Sequence, residues 1–132
     1  MINIGLLLIR LVVGILFIGH GAQKLFGWFG GYGLKGTGGW FDSIGMKPRV
    51  TIALIAGLAE FIGGILFAFG LLTPVAGILI AGTMAMAIIK VHAPNGIWAT
   101  SNGYEYNLTL LAVAISVVLT GPGKYALDTF LF

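Results

Sequence analysis

The sequence predicts an all-α protein, a bundle of four helices crossing a lipid bilayer, and three observations carry that prediction. Residues 4–26, 50–72, 74–91 and 104–120 are apolar runs of the length needed to cross a hydrocarbon core about 30 Å thick. The chain is 58% hydrophobic and only 8% charged, with a mean hydropathy of +1.05, more apolar surface than 132 residues can hide from water. Only a short turn from Gly70 to Pro74 separates the second and third runs; the glycine suits a helix end and the proline a helix start, so these runs form an antiparallel hairpin.

The first run holds Arg10, His20 and Lys24 in otherwise apolar sequence. An ionisable group in hydrocarbon costs several kcal/mol unless it is paired or faces a wet cavity, so each marks a candidate site. Arg10 also interrupts the run, no basic segment precedes it and no A-x-A site follows, so a cleaved signal is not expected. Between the first and second runs lies a loop rich in glycine and aromatics, with Trp28, Phe29, Tyr32, Trp40 and Phe41. Its Gly31-x-Gly33-x-x-Gly36 matches the dinucleotide-binding expression, but the strand and parallel-sheet unit that give that motif its meaning are missing. The loop reads instead as an interfacial belt or a partly re-entrant lid.

Glu60 lies near the midpoint of the second run, surrounded at helical spacing by Ala53, Ala56, Gly57, Gly63, Gly64 and Ala68. Small residues let helices approach closely, so Glu60 is expected to point into the bundle. The third run ends in Lys90 and His92. The fourth opens with Tyr104, Glu105, Tyr106 and Asn107 and carries a row of Thr109, Ala112, Ser116 and Thr120, expected to face inward and hydrogen-bond across helices. Four crossings put both termini on one face, A, and the two longer loops on the other, B. Lys35, Lys47 and Arg49 sit in the first loop with Lys24 and Lys90 nearby, so the positive-inside rule makes face B cytoplasmic.

The absence of cysteine removes thiolate nucleophiles, CxxC redox pairs, disulfides and cysteine metal sites together. The net charge of +3 comes from few, scattered residues beside apolar runs, which reflects membrane topology and not nucleic-acid binding. No H-x-x-x-H spacing supports a metal site.

Counting about 1.5 Å per residue from each midpoint sorts the polar groups into two sets. Arg10 and Glu60 come within reach of each other, which predicts an intramembrane ion pair, either a device fixing helix register or a group handling protons or ligand. At face B, His20, Lys24, Lys90, His92, Tyr104, Glu105, Tyr106 and Asn107 gather beside Trp40 of the lid. Such a set fits a planar molecule with carbonyl or hydroxyl groups, a quinone or a catechol, with His20, His92 or Glu105 handling its proton. Lys24 and Lys90 have a plainer reading, snorkelling to lipid phosphates.

Taken together, Arg10, His20-Gly21-x-x-Lys24-Leu25-Phe26, Trp40-Phe41, Glu60-x-x-Gly63-Gly64, Gly70-x-x-Thr73-Pro74, His92 and Gly103-Tyr104-Glu105-Tyr106 resemble the DoxX family of small bacterial four-helix membrane proteins. The resemblance runs nearly end to end and is nearest to the branch described as oxidoreductases linked to quinone and catechol stress. It implies a single membrane domain over residues 1–132 in a bacterial cell membrane, with a quinone-connected redox role, as an enzyme or as accessory to a soluble redox enzyme. No flavin, haem or iron–sulfur motif is present, so electrons are expected from a partner or a soluble reductant, with no covalent cofactor and quinone or quinol as the candidate bound one. Two other classes fit the residues: a small proton-coupled exporter working through Glu60, usually a homo-oligomer, and a non-catalytic docking subunit that recruits a cytosolic protein.

Overall fold

The computed structural model describes residues 1–47 and 49–132; the side chain of Arg49, counted above with the basic first loop, lies outside the described residues. The helices in chain order are α1 (Ile2–Phe26), α2 (Gly33–Ser43), α3 (Arg49–Phe69), α4 (Thr73–Ala87), α5 (Glu105–Thr120) and α6 (Leu127–Leu131). A wider π-type turn at Ile88–His92 continues α4. Ile2–Phe26, Val50–Phe69 and Thr73–Asn95 are each long and apolar enough to cross a membrane; α5 is apolar but shorter, at 16 residues. No strand occurs among the described residues, so the glycine motif at 31–36 has no sheet to serve. Part of that loop is the helix α2, which packs across α1 and α3 at face B.

Glycine sets the register of α1 against α3. A Cβ on Gly14 would stand 2.7 Å from Ala68, one on Gly21 2.5 Å from Phe61, one on Gly57 2.8 Å from Leu25, and one on Gly64 2.7 Å from the Gly14 carbonyl. Where lipid tails are as apolar as the side chains, such close backbone approach is what holds helices together. α3 then meets α4 through Gly63, and α4 meets α5 where Gly77 lies against Ala114 and Val118. Phe17, Phe67, Ile80, Met84, Leu110 and Val117 fill the space between.

This register overturns the expected Arg10–Glu60 pair. Glu60 comes level with Gly21, while Arg10 lies one helix end away beside Gly70. Counting from midpoints treats both helices as centred at one depth, and glycine packing has slid them apart. Arg10, only 1% exposed, donates instead to two backbone carbonyls, Nη1 to Ala68 at 3.1 Å and Nη2 to Tyr125 at 2.6 Å. Its Nε is buried without a partner among the described residues.

The Tyr125 contact belongs to a closure at face A built from the C-terminal segment. Asp128 accepts the N–H groups of Leu72 at 2.7 Å and Thr73 at 2.9 Å and the Thr73 hydroxyl at 2.7 Å, so it caps α4 from a distant part of the chain. Its own N–H donates to the Gly70 carbonyl. Gly70 (φ 65°) and Leu72 (φ 48°) take left-handed conformations in this turn, which the cap from Asp128 helps to hold. Partial burial raises the Asp128 pKa, but the Thr73 and Leu72 hydrogen bonds and nearby Arg10 outweigh it and leave the carboxyl below its usual range.

A second correction concerns α5. Thr109, Ala112, Ser116 and Thr120 do not face inward; they are exposed and line a shallow groove with Leu6 and Ile9 of α1. The buried face is Asn107, Leu110, Ala114 and Val117. The Thr109 hydroxyl donates to the Glu105 carbonyl of its own helix at 2.9 Å, so it needs no partner across the bundle.

Candidate functional site

Toward face B the helices enclose a cavity of about 650 Å³. α1 contributes Phe17, His20 and Lys24; α2 lays Trp40 and Phe41 over it; α3 contributes Ala56, Ala59 and Glu60; α4 and its π turn supply Gly82, Thr83, Lys90 and His92; α5 supplies Tyr106 and Asn107. Of the residues singled out in the sequence, His20, Lys24, Trp40, Lys90, His92, Tyr106 and Asn107 share this one space, and Glu60 joins them.

The strongest polar feature is the ion pair between Lys24 Nζ and Glu60 Oε1, 2.5 Å apart. The Glu60 side chain is 6% exposed and that of Lys24 26%, so the pair sits in the wall with its lysine turned toward open space. The register explains it: Lys24 is one turn beyond Gly21, the residue level with Glu60. Lys24 therefore does more than snorkel.

The two imidazoles are held differently. His92 Nδ1 lies 2.9 Å from the Asn102 carbonyl, which can only accept, so Nδ1 carries the proton and a neutral ring keeps Nε2 as an acceptor. Asn95 Nδ2 donates to the same carbonyl at 3.0 Å, and Asn102 is in a left-handed conformation (φ 58°), so the turn presents that oxygen to both. His20 stands edge-on to Phe17, with ring centres 6.1 Å apart, and makes no hydrogen bond among the described residues. Asn107, 8% exposed, has only the Met84 sulfur as a hydrogen-bond acceptor among the described residues, at 3.6 Å. Lys90 is exposed at the rim and forms no ion pair among the described residues.

Glu105 and Tyr104 are not brought to the cavity. The Glu105 carboxylate accepts the Ala99 N–H at 2.8 Å, and the backbone N–H groups of Tyr104 and Glu105 donate to Gly96 and Ile97. Buried Gly103 fits only because it has no side chain: a Cβ there would run into the 96–97 backbone. Both residues thus close the loop leading into α5, and proximity in sequence to Tyr106 and Asn107 does not carry them to the same side.

Two roles escaped sequence reasoning. The Lys24–Glu60 pairing depends on the offset at which α1 and α3 pack, Gly21 against Phe61 and Gly57 against Leu25, and residue spacing alone does not specify that offset. Capping of α4 by Asp128 had no local sign, because cap and helix start are 55 residues apart.

Residues 5–93 match the family described as DoxX. The chain is 39% identical over 132 residues to the "Putative oxidoreductase CatD" of Bacillus subtilis, covering 98% of this chain and 89% of that protein. It is 30% identical over 129 residues to the inner membrane protein YqjF of Escherichia coli, covering 98% of this chain and 93% of the other. An uncharacterized membrane protein of Mycobacterium tuberculosis, Rv3486, is 30% identical over 130 residues, 91% of this chain and 77% of its own length. No solved structure matches.

Proposed function

The chain belongs to the DoxX family of membrane proteins, and from that premise we propose that it is a redox-associated protein that binds a quinone or related phenolic compound in the face B cavity. The observation that carries this reading is the Lys24–Glu60 pair set into an otherwise apolar, aromatic-roofed space of about 650 Å³. Pockets that hold a small ring compound are of this size and kind, mostly apolar with a few convergent polar groups. A quinone, when bound, accepts two electrons and two protons. Lys24 donates hydrogen bonds to an oxygen at one edge of the ring and steadies negative charge there. His92 Nε2 and His20 are the proton-exchanging groups, imidazole being suited to that at neutral pH, and Glu60 holds Lys24 in position. Trp40 and Phe41 stack on the ring and keep water out. Electrons come from a soluble redox enzyme docked at face B, whose basic and aromatic surface suits it.

In this reading α5 is the fourth crossing of a four-helix bundle. Its 16 residues span about 24 Å, and tilt or local thinning of the bilayer makes up the rest. In the same reading face B, which carries Lys35, Lys47 and Lys90, is the cytoplasmic face of a bacterial cell membrane and both termini are outside, the orientation that the positive-inside rule favours.

The test is a titration of purified protein in lipid nanodiscs with a short-chain quinone. Saturable quenching of tryptophan fluorescence, most of it lost in Trp40→Phe, is the expected result. No binding up to millimolar ligand removes the reading.

A further inference from the structure

The cavity has an apolar mouth in the side of the bundle. α3 and α4 meet closely at Gly63, where a Cβ would stand 3.2 Å from Leu79 Cβ. One turn nearer face B the same interface has opened: a Cβ on Gly82 would meet nothing within 4 Å. Ile55, Ile78 and Met86 line the cavity, yet they are also 59%, 65% and 46% exposed on the outer surface. A residue that is both lining and exposed marks an opening. Ile78, Gly82 and Met86 are successive turns of α4, from about 21 Å to about 9 Å below His92, so the opening lies at the depth of the acyl chains and not at the headgroups.

We infer that this gap between α3 and α4 is a lateral portal, and that the ligand is an amphiphile whose polar ring reaches Lys24 and Glu60 while its aliphatic tail leaves through the gap into the bilayer. The inference rests on the ring-binding reading above and names the class of molecule that the same site takes. The two ends of one continuous space have opposite chemistry, a charged pair within and bare Ile55, Ile78 and Met86 without, and only an amphiphile matches both. The tail gains no hydrophobic energy by entering, since lipid is as apolar as isoleucine. Its benefit is that a tail already dissolved in the membrane need be neither folded up nor withdrawn when the head group binds.

Gly82→Phe plugs the portal at its mouth, where a Cβ meets nothing within 4 Å. Wild type and variant, in nanodiscs, are titrated with a tailless benzoquinone and with the same ring carrying a decyl chain, and affinities are expressed per ligand concentration in the membrane. The variant should bind the decyl compound at least about tenfold more weakly and the tailless one within about threefold of wild type. Equal effects on both ligands, or none on either, overturn the portal while leaving the ring site standing. Failure of wild type to bind either ligand overturns ring site and portal together. If Gly82→Phe does not fold, wild type is photolabelled with a quinone bearing a diazirine at the tail's end. Adducts within residues 52–59 and 78–86 support the portal, and adducts confined to α2 or to the 93–104 loop overturn it.

Discussion

α1 sets one basic side chain against α3 toward each face, Arg10 buried toward face A and Lys24 half-buried at face B, and their surroundings give them opposite uses. Arg10 spends its hydrogen bonds on the carbonyls of Ala68 and Tyr125, and Gly70 lies so close that a Cβ there would touch the guanidinium. There is no space beside it for a ligand. Lys24 meets a carboxylate in a cavity wall with open volume in front of it. Both are ionisable groups at membrane depth, which by itself marks either as a site. What separates them is the partner: backbone carbonyls of two chain segments make a tie, whereas a single carboxylate beside a cavity leaves donors free for a guest.

The sharpest way to break this contrast is to remove each lysine or arginine and see which property fails. Arg10→Ala strands two carbonyls and leaves a void, so we expect a loss of about 2–4 kcal/mol in stability, read as a lowered melting temperature in detergent. Proteolysis within residues 121–132 should become faster, because Arg10 holds Tyr125, while quinone affinity stays within about twofold. Arg10→Ala and Glu60→Ala should also be additive within about 0.5 kcal/mol, as expected of residues that share no partner. Strong coupling between them would return the pair that midpoint counting predicted and undo the register described here.

At face B the order of effects reverses. Lys24→Met and Glu60→Gln should each weaken quinone binding by about tenfold, equivalent to about 1.4 kcal/mol, and the double variant should be no weaker than the worse single one, because the two act as a unit. Their melting temperatures should fall less than that of Arg10→Ala. If Lys24→Met binds quinone as well as wild type does, the cavity's charged wall is structural and the two ends of α1 are alike after all.

That contrast also measures how far the sequence could be read. Helix-length apolar runs and the Gly70–Pro74 turn reported α1, α3, α4 and the hairpin directly, because hydrocarbon thickness and turn chemistry are local constraints. Most of the face B set was legible too, since residues at span ends share a membrane level whatever the packing. Pairing was not, because it depends on the offset between helices, and an offset of a turn or two decides whether Glu60 meets Arg10 or Lys24. Rotation was hidden in the same way: the Thr109 hydroxyl bonds to its own helix and Ser116 is exposed in the outer groove, so their polarity does not say which side of α5 faces in. Glu105 was misread because the loop before α5 folds back on itself through bonds to Gly96, Ile97 and Ala99, a conformation that residue type alone does not specify.

The smallest expected effect probes the face A closure by pH. Asp128 has its pKa depressed in the folded protein, so its contribution is fully present above the unfolded carboxylate value of about 3.9 and is lost as pH falls through the lower folded value. Between pH 7 and 5 the cap therefore adds no pH dependence, and the C-terminal segment should begin to release only in stronger acid. Asp128→Asn keeps the shape but weakens the acceptor for Leu72, Thr73 and the Thr73 hydroxyl, at a cost of about 0.5–2 kcal/mol. Thermal melts of wild type and Asp128→Asn across pH 7 to 3 should run parallel down to about pH 5 and then converge, as the wild-type carboxyl takes up its proton and loses the advantage that the amide never had. Curves that stay parallel to pH 3 would mean the carboxylate's charge contributes nothing at this end of the bundle. The closure would then rest on Arg10 and on neutral hydrogen bonds such as that from the Asp128 N–H to the Gly70 carbonyl, and charge would matter only at face B.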